Sequence, residues 1–305
     1  MRYLKTIAVT AVAVAALTGC ASKDSKQLVA QYALTSASVQ KRVLESYDMA
    51  LESHHDAKIM FAVRDGASVN DLLPETFEYS GQRQTLRALV AFSDALAGLT
   101  SDEAYEEIDR YTLKLAGSLK KLSENEQLPQ QYKVDTGLIA TVANGMARAY
   151  MDHARYKALK KILKESRLTV SQSIALLRGD LPAWENVAKV SLRDRLNVMM
   201  GLLNQPNRCS QKAEENGRCV TYAFTPQERF EAFDRAAALK MRLDSLGQEF
   251  DALDRALASL AKLHLSVVDA IEADDDRSID ALKKDVATIQ EMADAIKQFQ
   301  SALKD

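Results

Sequence analysis

The sequence predicts an all-α protein, an elongated bundle of about eight helices that includes a long, coiled-coil-like antiparallel hairpin at the C-terminal end. Three observations predict it. The 305 residues contain only 11 Gly and 5 Pro, few turn signals for so long a chain, so the elements are few and long. Residues 24–64 contain neither Gly nor Pro. Leu239, Leu243, Leu246, Phe250, Leu253, Leu257, Leu260, His264, Val267 and Ile271 recur at strict 4-3 spacing, a heptad seam.

In chain order, the first helix covers 24–64 and is closed by Gly66. A loop follows, with Pro74, and leads to a helix near 83–98. Thr100 with Glu103 reads as a capping box opening the next helix, whose face carries Tyr105, Ile108, Leu115, Leu119 and Leu122. Ser123 to Gln131, with Pro129, is a break before a long helix at 133–166. A shorter helix, 169–178, is expected to stop at Gly179. Asp180 then caps another, with Pro182 in its first turn, that continues to 203. Pro226 opens the seam helix, which ends at Asp274-Asp275-Asp276. The final helix carries Ile279, Leu282, Val286, Ile289, Ala293, Ile296, Phe299 and Leu303 on a stripe that would face the seam.

The N-terminal residues carry a different kind of signal. Arg2 and Lys5 precede an apolar run from Ile7 to Leu17, interrupted only by Thr10. The run is too short to span a bilayer core, which needs about 20 apolar residues, and it suits a secretory signal. It ends Leu17-Thr18-Gly19-Cys20, followed by polar Ser22-Lys23-Asp24-Ser25-Lys26. This resembles the lipobox of bacterial lipoproteins. The resemblance implies cleavage before Cys20, acylation of that cysteine, and attachment to a lipid bilayer. The next residue is Ala21 rather than the Asp that marks inner-membrane retention in part of that class. The resemblance therefore implies an outer-membrane anchor facing the periplasm. The organisation expected is a signal at 1–19, a lipidated tether at 20–26, a helical bundle at 27–204, a pinned loop at 205–225 and the hairpin at 226–305, either a separate part or packed into the same bundle.

Two cysteines remain in the exported body, Cys209 and Cys219, separated by a polar stretch with an Asn216-Gly217 turn signal. An even pair in an oxidising compartment reads as a disulfide closing a small loop. A rigid loop displays side chains at low entropy cost, so Arg208, Tyr222 and Phe224 are the expected anchors for a protein partner.

Chemistry-bearing constellations are sparse. Hydrophobic residues make up 47% and charged residues 27%, a globular composition, and the formal charge is −2. That balance argues against nucleic acid, which needs clustered Lys and Arg. No P-loop, dinucleotide fingerprint, Gly-x-Ser-x-Gly or zinc-peptidase pattern occurs, and no metal site, cofactor or catalytic residue is expected. His54 has no ligand-type residue at helical spacing and His55 only Glu52, too few for a metal site, so both read as surface residues. His264 is the polar member of an apolar seam, a register-fixing core residue or a pH-sensitive switch. Tyr150, His153 and Tyr156 share a helix and are the candidate lining of a small-ligand pocket. The expectation is a non-enzymatic, envelope-anchored scaffold, adaptor or inhibitor that binds a protein. The alternative is a periplasmic small-ligand sensor or carrier with its pocket inside the bundle.

Overall fold

The computed structural model describes residues 2–67, 80–100, 105–124, 126, 152–203, 209–212, 219–222 and 225–302, with the backbone alone described for 2–22, 80, 105–109, 152–155, 158, 202, 209–212, 219–222, 276 and 302. Within these, six helices and one small hairpin follow in the order α1 (Arg2–Asp65), α2 (Ser80–Thr100), α3 (Tyr105–Ser123), α4 (Asp152–Leu203), β1 (Cys209–Lys212), β2 (Cys219–Tyr222), α5 (Pro226–Ala273) and α6 (Asp276–Ala302). The all-α class holds. Among the described residues six helices are counted where eight were expected, for a reason seen in α4.

Separate helices at 133–166, 169–178 and 180–203 were expected, yet α4 runs unbroken from Asp152 through Gly179 and Pro182 to Leu203. Pro182 removes one amide from the ladder and crowds the carbonyl of Arg178, a local cost of about 3 kcal/mol. Tertiary burial offsets it. Ile174, Leu177, Leu181, Trp184 and Ala188 lie on one buried stripe across the site, and that stripe needs helical spacing throughout. The 133–151 part of the helix expected at 133–166 lies outside the described residues, as do residues 68–79 of the expected loop.

Local chemistry explains the ends. Gly66 closes α1 at a φ of +69°, a conformation that costs glycine little. Thr100 was expected to cap α3. It instead closes α2, its hydroxyl donating to the carbonyls of Ala97 (2.7 Å) and Leu96 (3.3 Å). The capping box that does form is Thr225 with Glu228. The Thr225 amide donates to Glu228 Oε2 at 2.7 Å, and the Glu228 amide donates to Thr225 Oγ1 at 3.2 Å. Between α5 and α6, Asp274 sits at a φ of +50°, held by Lys160 Nζ at 2.7 Å. Asp275 then caps α6, accepting from the Arg277 amide at 3.1 Å and from the Ser278 hydroxyl.

The chain forms two compact units. Unit one takes Met1–Leu44, Glu78–Gly179 and Leu253–Ile296, and unit two takes Glu45–Phe77, Asp180–Ala252 and Lys297–Asp305. Each draws on both sides of the 205–225 segment, and α1, α4, α5 and α6 contribute to both. The core of unit one is aliphatic: Leu28, Val29 and Val43 from α1, Leu86, Leu89 and Leu96 from α2, Leu115 and Leu119 from α3, and the lower seam of α5 with Ile279, Val286 and Ile289 of α6. α2 and α3 approach closely at Gly98, where a Cβ would stand 2.5 Å from the ring of Tyr111. The core of unit two is smaller and aromatic. Tyr47 stacks on Trp184 with ring centres 4.2 Å apart and planes 12° from parallel, among Ala50, Leu181, Leu192, Leu246 and Phe250. No helix among the described residues is long and apolar enough to cross a membrane.

Candidate functional site

His264 is fully buried on the seam of α5 in unit one. Its Nδ1 lies 2.7 Å from the hydroxyl of Tyr32 on α1, and its Nε2 lies 3.2 Å from the carbonyl of Arg167 on α4. A carbonyl only accepts, so Nε2 carries the proton and Nδ1 accepts from Tyr32. Both ring nitrogens are satisfied in the neutral form. Burial, reinforced by the Arg167 charge, lowers the His264 pKa to about 4, although the bond to the Arg167 carbonyl pulls the other way. The same burial raises the Tyr32 hydroxyl. The group is a neutral three-helix clasp, which fits the register role anticipated for a polar seam residue.

A second neutral layer lies nearby in unit one. Gln40 Nε2 donates to Ser36 Oγ at 2.8 Å, and Ser93 Oγ is 3.0 Å from Ser36 and 3.2 Å from Gln40 Oε1. It ties α1 to α2 without charge.

Unit two is built differently. Glu249, one residue off the heptad seam, is only 2% exposed. Its Oε1 accepts from Ser46 (2.6 Å) and Gln300 (3.0 Å), and Gln300 also reaches Ser46 at 2.8 Å. Its Oε2 faces Arg242 at 3.3 Å. Three separate chain segments thus converge on one buried carboxylate.

Arg242 also borders a groove of about 610 Å³ in unit two. One wall is α1, which presents Glu45, Asp48, Glu52 and Asp56 at 3-4-4 spacing, one face of a helix. The opposite side carries Arg195 from α4 and Arg235 and Arg242 from α5. Met49, Leu192, Met199 and Leu239 supply the apolar lining. Arg195 reaches across to Asp56 at 3.1 Å. The groove therefore has an acidic wall, a basic wall and a methionine-containing floor, a surface able to adapt to apolar side chains.

Beside it, the first turns of α5 are exposed nearly all round. Phe230 is 73% exposed, Phe233 62% and Met241 62%. Continued backward from Leu239, the seam passes through Ala236, Ala232 and Arg229, so Phe230 and Phe233 fall off it. That phase shift is the sequence signal for an outward-facing stripe, one that the heptad pattern alone does not register.

The anticipated residues are placed as follows. Arg208, Phe224 and Tyr150 lie outside the described residues, as do the side chains of Cys20, His153 and Tyr222. Tyr156 is half-buried and donates to Asp274 Oδ1 at 3.4 Å, so it braces the α5–α6 turn, and burial raises its pKa. His54 is not a plain surface residue. It is half-buried, its Nδ1 lies 3.4 Å from Ser191 Oγ, and burial lowers its pKa.

The hairpin ladder sets Cys209 opposite Tyr222 and Cys219 opposite Lys212, with register shifts on either side of Gln211. The cysteine side chains, and with them the expected Cys209–Cys219 bridge, lie outside the described residues.

Among the described residues no three His, Cys, Asp or Glu side chains converge as metal ligands would. No protein-family model, curated protein or solved structure matches the chain.

Proposed function

We propose that this protein is a lipid-anchored envelope protein that acts without catalysis, as a helical scaffold, adaptor or inhibitor gripping a protein partner. The anchor rests on Leu17-Thr18-Gly19-Cys20 and the polar tether after it. The partner face rests on one observation: Phe230 and Phe233 stand exposed on the first turns of α5, beside a groove with walls of opposite charge. Burying a phenylalanine side chain stabilises by roughly 1.5–3 kcal/mol, so two such residues supply a strong incentive for association. Oppositely charged walls supply orientation and partner discrimination.

The test is chemical cross-linking in intact membranes followed by affinity capture and mass spectrometry. A stoichiometric protein adduct that disappears with Phe230→Glu supports the reading, and an undiminished adduct refutes this face. Palmitate labelling lost in Cys20→Ser supports the anchor.

A small-ligand sensor or carrier is the second reading, favoured by a groove volume within the roughly 300–1,000 Å³ of ligand pockets. It predicts a thermal shift with zwitterionic apolar compounds that Glu52→Gln reduces.

A further inference from the structure

We infer that the unit-two groove seats an amphipathic helix of a partner protein, one whose apolar face is flanked by a basic edge. The inference rests on the reading of unit two as protein-binding and names the class of partner.

The groove continues a helix position that unit two already uses. Gln300 seats the last turn of α6 between α1 and α5, its Nε2 lying 2.8 Å from Ser46 Oγ and 3.0 Å from Glu249 Oε1. Farther along the same two helices, α1 and α5 become the walls of the groove, and α4 supplies its third side. Among the described residues α6 contributes nothing to that lining. Both walls keep the spacing of a helix seat. Glu45, Met49, Glu52 and Asp56 recur at 4-3-4 on α1, and Arg235, Leu239 and Arg242 at 4-3 on α5. The stretch from Glu45 to Asp56 rises about 16 Å, roughly three turns of helix. Over that length an amphipathic helix anchors itself through residues i, i+3, i+4 and i+7. Met49, Met199 and Leu239 offer such anchors adaptable apolar contacts, and Ala238 leaves them room.

Charge selects the occupant. Glu45, Asp48, Glu52 and Asp56 share the groove with Arg195, Arg235 and Arg242. Arg195 is engaged by Asp56 at 3.1 Å. Arg242 is drawn to Glu249 at 3.3 Å, and Arg235 lies 4.0 Å from Glu231, two acids outside the lining. Six carboxylates thus stand against three guanidiniums, and the balance presented to an occupant is negative. A helix with Lys or Arg along the edge that meets α1 is attracted. One with Asp or Glu there is repelled.

The experiment is fluorescence anisotropy on the membrane-extracted full chain in detergent. The probes are two labelled, designed helical peptides of about 16 residues with Leu on one face, one carrying Lys along an edge and the other Glu. Wild type is expected to bind the Lys-edged peptide saturably and the Glu-edged one at least about tenfold more weakly, a difference that shrinks in salt. Asp48→Lys/Glu52→Lys, at two exposed positions, is expected to reverse the preference. Ala238→Trp, which fills the floor, is expected to abolish binding of both peptides, with an unchanged circular-dichroism melt. No binding of the Lys-edged peptide to wild type, equal binding of the two peptides, a preference unchanged in Asp48→Lys/Glu52→Lys, or binding indifferent to Ala238→Trp overturns the inference. Displacement by spermidine as strong as by unlabelled peptide at equal concentration also overturns it, in favour of a small-cation site. In any of these cases a membrane adduct lost with Phe230→Glu keeps the protein-binding reading standing, and absence of that adduct refutes both.

Discussion

The two units bury polar groups in opposite ways. Unit one uses neutral ones: His264 with Tyr32 and a carbonyl, and Ser36 with Gln40 and Ser93. Unit two buries a carboxylate, Glu249, against Arg242, Ser46 and Gln300. Neutral layers are satisfied by partners of similar cost on either side of folding, so they set register at modest expense. A buried ion pair gains stability only while both members are present, since each alone is an uncompensated charge. The difference follows from location. Arg242 belongs both to the buried pair and to the rim of the open groove, so unit two couples its buried charge to that surface.

The sharpest way to break this comparison is to remove one charge. Glu249→Leu leaves Arg242, with its side chain only 11% exposed, facing an apolar wall, and is expected to cost about 3–5 kcal/mol. Urea unfolding followed by fluorescence is a direct readout, because Trp184 is the single tryptophan and lies in unit two against Tyr47. The double variant Glu249→Leu/Arg242→Met is expected to recover most of the loss.

Unit one makes the contrasting prediction in pH. The folded His264 pKa is about 4 and the unfolded one about 6.5, so the unfolded state binds more protons between those values. Its contribution is complete above pH 6.5, falls as pH drops toward 4, and is gone below. The size is on the order of 3 kcal/mol. The groups facing the ring are Tyr32 from α1 and Arg167 from α4, and neither changes charge in this window. Chemical denaturation at pH 7 and pH 4.5 is expected to show the difference, and His264→Gln to shrink it. An equal pH dependence in that variant would assign the effect to other groups.

Gly98→Ala tests packing in unit one. The new methyl would stand 2.5 Å from the Tyr111 ring, so α2 and α3 must part or the ring must turn. A loss of about 1–3 kcal/mol is expected. The smallest effect is expected from Asp254→Ala, which breaks the bidentate Arg178 pair (2.8 and 2.9 Å). Both side chains are about two-fifths exposed, so the change should stay under about 1 kcal/mol and shrink further in salt.

Much of the fold was legible because local pattern and tertiary burial agree. The α5 seam, the Gly66 stop and the acidic turn before α6 each rest on residues within one or two turns of the feature they determine. The continuity of α4 was not legible. Gly179 and Pro182 are genuine local stop signals, and only burial of Leu177, Leu181 and Trp184 overrides them. Glu249 was invisible for a related reason. It falls beside the seam in a charged helix, and its partners arrive from residues 46, 242 and 300. Phe230 and Phe233 stood in plain view, out of phase with Leu239 and Leu243.

The central functional claim is that unit two presents a protein-binding face at the start of α5. A photoreactive phenylalanine analogue placed at Phe233, with Phe92 of the unit-one core as the buried control, tests it in intact membranes. Phe92 is 1% exposed and Phe233 62%. The account predicts a discrete protein adduct from position 233 and none from position 92. No adduct from position 233, or equal adducts from both, would contradict it.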